Sequence, residues 1–319
     1  MNQEENMEKI TNSIFEEDWW LDAVAPGKWE CLEVKDKEGG VIGRWPVYYG
    51  KILGFNTIKN PQYTQTLGPW IRCDASKFTK YLSTKKKVLE QLVEQIPSKP
   101  YNFFVTLDSS NEYVLPFHWR GFHVTPTFSY RFPDLSNLDE IYRNIDSKQK
   151  TVIKKATAIL SIKDDCPIDV LIEMMQMTND RQNRKKGLYR ETILRIDDAC
   201  KKHNARKLLV AFDKDNHVHA AAYFVYDDRV CYYLMGGANP DYRNSGAQSL
   251  LIWEGIKFAS TVSKSFDFEG SNVELIERFF RSFGSPFVVN YTVKRLNLFL
   301  TLADTFAIAF KKYILRQHV

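Results

Sequence analysis

The amino-acid sequence predicts an α/β (α+β) protein of two tandem domains, each with a mixed, mostly antiparallel sheet flanked by helices. Three observations support this class. The length of 319 residues suits two domains, since one domain usually takes about 150 residues. Alternating apolar patterns, typical of strands, occur in both halves. Hydrophobic residues make up 44% and aromatic residues 14% of the chain, which is the composition of a folded globular protein.

Strand patterns in the two halves have a similar arrangement. In the first half, strands at 29–35 and 41–49 flank a turn that contains Gly39 and Gly40, so a β-hairpin is predicted. In the second half, strands at 206–212, 217–226 and 229–235 alternate with short polar turns and predict a three-stranded meander.

Helical patterns separate and follow these strands. Residues 138–160 are predicted as a basic helix between the halves, which divides the chain into domains 1–137 and 138–319. Further helices are predicted at 85–95, 167–186, 190–203 and 247–260. After a strand at 265–269, Ser271 and Glu274 have capping-box spacing, and Gly284 has the place of a C-cap glycine.

Composition argues against several functions. The 44 basic and 39 acidic residues give a net charge of +5, too small an excess to indicate DNA binding. The five cysteines are isolated, and His217 and His219 lack an evident third ligand, so no metal site is expected. The polar N-terminus has no secretory pattern, so a cytoplasmic location is expected.

An anion-binding pattern occurs in the second half. Residues 232–248 read YYLMGGANPDYRNSGAQ, a strand that runs into a glycine-containing loop and then a helix. Amide groups at a helix N-terminus, the helix dipole and the side chain of Arg243 can together hold a pyrophosphate or a similar group.

At this loop the chain resembles the GNAT superfamily of acyltransferases. The resemblance rests on Arg243, Asn244, Ser245, Gly246 and Ala247, whereas Gln248 stands where the family prefers a tiny residue. It implies that this loop binds an acyl-CoA co-substrate. It also implies that the backbone at Met235 and Gly236 polarises the acyl carbonyl.

Two further segments resemble the Fem-type branch. These are 147–156, SKQKTVIKKA, and 266–295, FDFEGSNVELIERFFRSFGSPFVVNYTVKR. This resemblance implies a second GNAT-like domain in the N-terminal half and an oxyanion role for Lys294. Fem-type proteins transfer amino acids from aminoacyl-tRNA to peptidoglycan precursors, but the chain has no room for the helical arm of some members, which weighs against tRNA.

Candidate catalytic side chains follow from the strand pattern. Asp267 and Glu269 lie two apart, so both carboxylates should project from one sheet face, where either could act as a general base. The alternative is that they form salt bridges with Arg243 or Lys294, or that they cap the next helix. Tyr233 is a candidate general acid, and the alternative is a tyrosine packed in the core.

The sequence and the resemblance therefore predict an acyltransferase that moves an acyl group from an activated donor, an acyl-CoA, to an amine or hydroxyl of a small-molecule or cell-envelope precursor. Two alternatives remain: transfer from aminoacyl-tRNA to a peptidoglycan precursor, and a non-catalytic module that binds an anionic sugar-nucleotide or glycan. The apolar C-terminal segment 296–319 is predicted as a helix packed on its own domain or on a second subunit. Shallow attachment to the inner face of an anionic membrane is the other option.

Overall fold

The computed structural model divides the chain into two compact units. It describes residues 9–97, 102–182, 187–270 and 274–317, with side chains up to residue 307. One unit contains Met1–Asn12, Gly27–Pro126 and Tyr291–Val319, and the other contains Ser13–Pro26 and Thr127–Asn290. These units differ from the predicted division at residue 137, because segments near both ends of the chain belong to the unit of the opposite half.

The secondary structure alternates between strands and helices. The strands are β1 (Trp29–Lys35), β2 (Val41–Ile52), β3 (Phe55–Lys59), β4 (Trp70–Ile71), β5 (Asn102–Leu107), β6 (His123–Phe132), β7 (Ser161–Lys163), β8 (Arg206–Phe212), β9 (Val218–Tyr226), β10 (Val230–Ala238), β11 (Ser265–Asp267) and β12 (Phe287–Arg295). The helices are α1 (Asp18–Val24), α2 (Phe78–Gln95), α3 (Leu115–Trp119), α4 (Leu138–Asn144), α5 (Ser147–Ile159), α6 (Ile168–Arg181), α7 (Arg190–Lys202), α8 (Ala247–Val262), α9 (Glu274–Arg281) and α10 (Leu298–Gln317). Two 3₁₀ turns lie at Ile14–Glu16 and Pro240–Tyr242.

In the first unit, strands pair in the order β1-β2-β3-β5-β12, and β4 pairs with β2. The predicted hairpin is confirmed, since β1 and β2 pair antiparallel. β2 and β3 form a second hairpin, which pairs Ile52 with Phe55 across a two-residue turn. Both turn residues, Leu53 and Gly54, have left-handed backbones, as a tight hairpin turn of this kind requires.

In the second unit, strands pair in the order β6-β11-β10-β9-β8-β7. The predicted meander is present, because β8, β9 and β10 pair antiparallel in sequence order. β10 and β11 pair parallel, whereas β11 and β6 pair antiparallel, so the sheet is mixed. The predicted class, with mixed sheets flanked by helices, is confirmed.

The second unit contains an apolar core on one face of its sheet and a separate buried carboxylate, Asp197. On one face, Phe224, Phe266 and Phe268 belong to an apolar cluster with residues of α8 and α9. On another part of the unit, the hydroxyl of Tyr223 donates to buried Asp197, which also pairs with Lys201 and Arg206. The buried charge of Asp197 is therefore compensated from three directions.

The predicted helix at 138–160 is wrong in one respect. The structure has two helices, α4 and α5, separated by Ile145 and Asp146. The Asp146 carboxylate accepts hydrogen bonds from the amides of Lys148 and Gln149, so it caps a new helix. The apolar periodicity continues through this break, and periodicity alone therefore did not reveal it.

Other differences concern element ends. The predicted strand at 265–269 ends at Asp267, the helix predicted at 85–95 begins at Phe78, and α3 was not predicted. Ser271 of the predicted capping box lies outside the described residues. No helix in the described part of the chain is long and apolar enough to cross a membrane.

Gly237 generates a prediction about stability. A Cβ atom at this position of β10 would lie 2.3 Å from the backbone carbon of Met174 in α6. Because backbone cannot move aside cheaply, we expect Gly237→Ala to lower the free energy of unfolding by about 3 kcal/mol, as overpacking does. Urea denaturation measures this change. In the control Gly50→Ala the nearest atom is Cε of the flexible Lys59 side chain, so a comparable loss there would contradict the explanation.

Candidate active site

The two central strands of the second unit separate at one point. β10 and β11 pair only through Val230–Tyr232 and Ser265–Asp267. Immediately afterwards, β10 contains a bulge between Tyr233 and Met235 on the side that pairs with β9. From Tyr233 onward, the main-chain groups of β10 that face β11 lie beyond the paired part of these two strands. A ligand can form hydrogen bonds with them instead.

The predicted anion loop lies between β10 and α8. Arg243 is exposed, and Gly246 begins α8 with a left-handed φ of 76°. A Cβ at Gly246 would come within 2.7 Å of the Val152 side chain in α5, so glycine allows the loop to approach that helix. The Ser245 hydroxyl accepts a hydrogen bond from the Ala247 amide at 3.3 Å. The next amides, of Gln248 and Ser249, lie in the first turn, where helix geometry provides no acceptor.

Gln248 and Tyr233 occupy the space between this first turn and β10. The Gln248 Nε2 atom donates to the Tyr233 hydroxyl at 2.8 Å. A Cβ on Gly236 would lie 2.0 Å from that hydroxyl and 3.1 Å from Gln248 Nε2, so both side chains cover the Gly236 backbone. A donor that reaches the Gly236 main chain from this side must therefore displace them.

Tyr233 is held as a protonated phenol. Its ring packs against Phe224 and Phe280, with ring centroids 5.7 Å and 6.2 Å away. Burial, and secondly the negative charge of Glu269, raise the pKa of Tyr233 above its ordinary value. The hydroxyl is consequently protonated at neutral pH, and it can serve as an acid.

Glu269 lies in a turn and not in a strand. Its φ is 58°, and Gly270 follows with a φ of 50°. A Cβ at Gly270 would lie 2.3 Å from the carbonyl oxygen of Phe128, so the turn is held closely against β6. The Glu269 carboxylate oxygens are shielded from solvent. A non-glycine residue held in this backbone conformation with a shielded acid is a feature often found at functional sites.

Asp267 has a different environment. Its buried carboxylate accepts hydrogen bonds from Ser129, from Arg131 Nε at 2.7 Å and from the Glu269 amide at 2.6 Å. The salt-bridge alternative holds for this residue, but its partner is Arg131 and not Arg243 or Lys294. With three donors directed at it, Asp267 is poorly placed to take a proton from a substrate, and it fixes the turn at Glu269 instead.

The expectation that Asp267 and Glu269 line one face of a strand is corrected by this geometry. β11 ends at Asp267, and the left-handed backbone of Glu269 breaks the alternation of side chains. Sequence reasoning also missed Ser129 and Arg131. Their spacing of two on β6 was the available signal, since it places both on one side of a strand.

Lys294 belongs to the first unit. Its Nζ atom pairs with Asp304 of α10 at 2.9 Å and lies 4.8 Å from the centre of the Phe104 ring. Its oxyanion role stays a prediction. Met235 is 4% exposed and its side chain is part of the core, so any contribution to the site would come from its main chain.

A basic stripe on α5 adjoins the anion loop. Val152, which meets Gly246, lies four residues after Lys148 and three residues before Lys155. Side chains three and four residues apart share one side of a helix, and both lysines are exposed. The loop with Arg243 is therefore bordered by two further cations.

A polar cluster lies at the turn between β8 and β9. Ligand-type atoms of Asp213, Asp215 and His217 lie within 4.8 Å of one another. Although burial acts in the opposite direction, hydrogen bonds from the His217 main chain and side chain and from His219 hold the pKa of Asp213 below its ordinary value. The sequence analysis named the two histidines without their aspartate partners. Its expectation of no metal stays a prediction.

Comparison with known proteins agrees with this geometry. Residues 147–274 match the family model described as Acetyltransferase (GNAT) domain. The crystal structure of FemX matches with a TM-score of 0.69 and 12% identity, over 91% of this chain and 94% of the other. The chain therefore has a Fem-like fold, and residues 147–274 match a GNAT domain. This confirms the resemblance drawn from the sequence.

Two other solved structures share the fold. The C-terminal (DUF2156) domain of an Agrobacterium fabrum protein assigned as a lysylphosphatidylglycerol synthetase has a TM-score of 0.55 and 9% identity, over 88% of this chain and 89% of the other. L-PGS from Bacillus licheniformis has a TM-score of 0.51 and 13% identity, over 87% and 88%. No curated protein gives a significant sequence match. At these identities the structural likeness concerns the fold alone.

The contrast between the two carboxylates generates a prediction. Asp267→Asn removes the buried negative charge that pairs with Arg131, so we expect the free energy of unfolding to fall by about 3 kcal/mol, as when a buried ion pair is broken. Chemical denaturation measures it. In the control Asp169→Asn, the pair with Arg190 is largely exposed, and little change is expected. Equal stability of Asp267→Asn and the original chain would refute the structural role of Asp267.

Proposed function

We propose that this protein transfers an acyl group from a polyanionic donor to an amine or hydroxyl of a cell-envelope precursor. The observation that carries the proposal is the separation of β10 from β11 directly beside the anion loop. Main-chain groups that can hold an acyl carbonyl, and a helix N-terminus that can hold phosphate, therefore lie next to one another.

The side chains at this point supply the proton transfers. The acceptor nitrogen or oxygen attacks the acyl carbon while the Glu269 carboxylate takes the proton that the acceptor loses. The main chain at Met235 and Gly236 polarises the acyl carbonyl. The bond between the acyl carbon and the carrier then breaks, and the Tyr233 hydroxyl protonates the departing oxygen or sulfur.

For the donor, we propose an aminoacyl-tRNA that is held by α5 and the anion loop, and not by the helical arm of some Fem-type proteins, for which the chain has no room. Lys148, Lys155 and Arg243 border the loop over more than one helical turn of α5, which suits a chain of phosphates better than one pyrophosphate. Gln248 also replaces the tiny residue expected beside a pyrophosphate, and its side chain is engaged with Tyr233.

An acyl-CoA is the second candidate donor. The match of residues 147–274 to a GNAT acetyltransferase domain supports it, as does the loop sequence from Arg243 to Ala247. For the acceptor, a cell-envelope precursor is proposed because similar folds occur in FemX and in a domain assigned to lysylphosphatidylglycerol synthesis. A small-molecule acceptor remains the alternative.

The basic stripe gives the first test of this proposal. We expect the double variant Lys148→Ala/Lys155→Ala to bind aminoacyl-tRNA about tenfold more weakly, because two phosphate contacts are lost. Filter binding at several salt concentrations should also show a shallower salt dependence. The control Lys154→Ala/Lys202→Ala removes the same charge from exposed positions that do not share the stripe, and it should bind nearly as the original chain.

Transfer assays distinguish the two donors. Radiolabelled amino acid should move from charged tRNA to a lipid-linked or nucleotide-linked muropeptide, while acetyl-CoA remains inert. If acetyl-CoA is consumed and both double variants keep full activity, the tRNA proposal is wrong and acyl-CoA is the donor. Binding without turnover over both donor classes would instead support the non-catalytic alternative.

The acid and base have their own test. We expect Glu269→Gln to lower kcat about a hundredfold, since a positioned base contributes at least that much, and Tyr233→Phe to slow release of a poor leaving group. An ultraviolet titration provides a readout independent of activity. Loss of the Glu269 charge should lower the pKa of Tyr233, because that charge helps to raise it. The variant Tyr233→Phe shows which part of the titration curve belongs to Tyr233. An unchanged titration of Tyr233 in Glu269→Gln would argue against an interaction between these two residues.

A further inference from the structure

A large apolar surface is exposed on the first unit. It consists of two side chains from the β2–β3 hairpin and four from α10, which are Leu53, Phe55, Leu298, Phe299, Leu302 and Phe306. The Phe55 and Phe299 rings lie 5.4 Å apart, so the hairpin and the helix form one continuous surface. We call these six residues the apolar patch. A contiguous patch of this kind generally marks a binding surface.

The hairpin tip is unusual for a turn. Leu53 has a φ of 48°, a left-handed conformation that favours glycine, asparagine or aspartate. Its side chain is 70% exposed, so no burial within the protein offsets the backbone cost. Neither folding nor solubility favours a leucine at this position, and a ligand that covers it would.

Helix α10 presents two different sides. Leu300 is buried and Asp304 pairs with Lys294, so this side packs on the protein. Leu298, Leu302 and Phe306 recur every four residues and are 61–77% exposed, so they form one outward stripe. The helix is thus anchored along one side and leaves an apolar stripe uncovered along the other.

The charged residues of the β2–β3 hairpin and of the C-terminal segment are mostly basic in sequence. Lys51 precedes the hairpin tip and is exposed. From residue 296 to the end, the sequence contains Lys311, Lys312 and Arg316 but a single acid, Asp304, whose charge is already met by Lys294. An apolar surface accompanied by cations complements an anionic lipid surface.

We propose that the apolar patch docks this protein onto an anionic membrane surface, with α10 lying in the plane of the interface. A second copy of the chain fits less well. In a twofold dimer each patch faces itself, so a segment whose sequence has a net positive charge would meet its own copy. The docking does not depend on the proposed transferase activity.

Vesicle sedimentation of the full chain tests the proposal. The chain should pellet with vesicles of phosphatidylcholine and phosphatidylglycerol in a 2:1 ratio, and at least about tenfold less with phosphatidylcholine alone. Leu53→Asn and Phe306→Ser should each weaken binding to the anionic vesicles about tenfold, the effect of losing one large buried apolar side chain. The control Leu275→Gln removes an equally exposed leucine from α9 in the other unit and should bind as the original chain.

Folding and self-association are followed in the same variants. Because asparagine is preferred at a left-handed turn position, Leu53→Asn should melt at the same or a higher temperature, so weaker vesicle binding cannot be attributed to unfolding. Unaltered binding by both patch variants would overturn the proposal. So would a dimer, seen by sedimentation velocity, that these substitutions dissociate while vesicles bind none of the proteins.

Discussion

The hydrogen bonds around Asp267 determine where the two central strands of the second unit separate. Ser129 and Arg131 of β6 hold the carboxylate, and the Glu269 amide donates to it from the following turn. β11 ends at Asp267, and its pairing with β10 ends at the same residue. The open edge of β10, the position of Glu269 and the access to the anion loop all depend on this turn.

As a result, Asp267 and Glu269, which lie two residues apart, have different roles. Asp267 is charged, buried and fully paired, so its contribution is to the geometry. Glu269 lies two residues further on, in a left-handed turn close enough to Tyr233 for its charge to raise the pKa of that hydroxyl. A carboxylate and a protonated phenol held near each other form a suitable base and acid for group transfer.

Much of the fold was predictable because its hydrophobic periods are regular. The β1–β2 hairpin, the meander β8–β9–β10 and helix α8 were all predicted close to their observed bounds. Two of the errors occur where one polar side chain overrides the local pattern: Asp146 caps α5 and divides a predicted helix, and β11 ends at Asp267. Such effects depend on partners distant in sequence, or on caps that compete with an apolar pattern. The spacing of apolar residues gives no information on either.

The sequence predicted the position of the candidate site better than the contacts between its side chains. The loop from Arg243 to Gln248 could be read from the sequence, but the contact between Gln248 and Tyr233 could not, because it joins residues fifteen positions apart. That contact has a chemical consequence. Gln248 donates to the Tyr233 oxygen, so the phenolic proton stays available for another acceptor. A residue that departs from the family pattern can therefore both cover the Gly236 backbone and orient the hydroxyl of Tyr233.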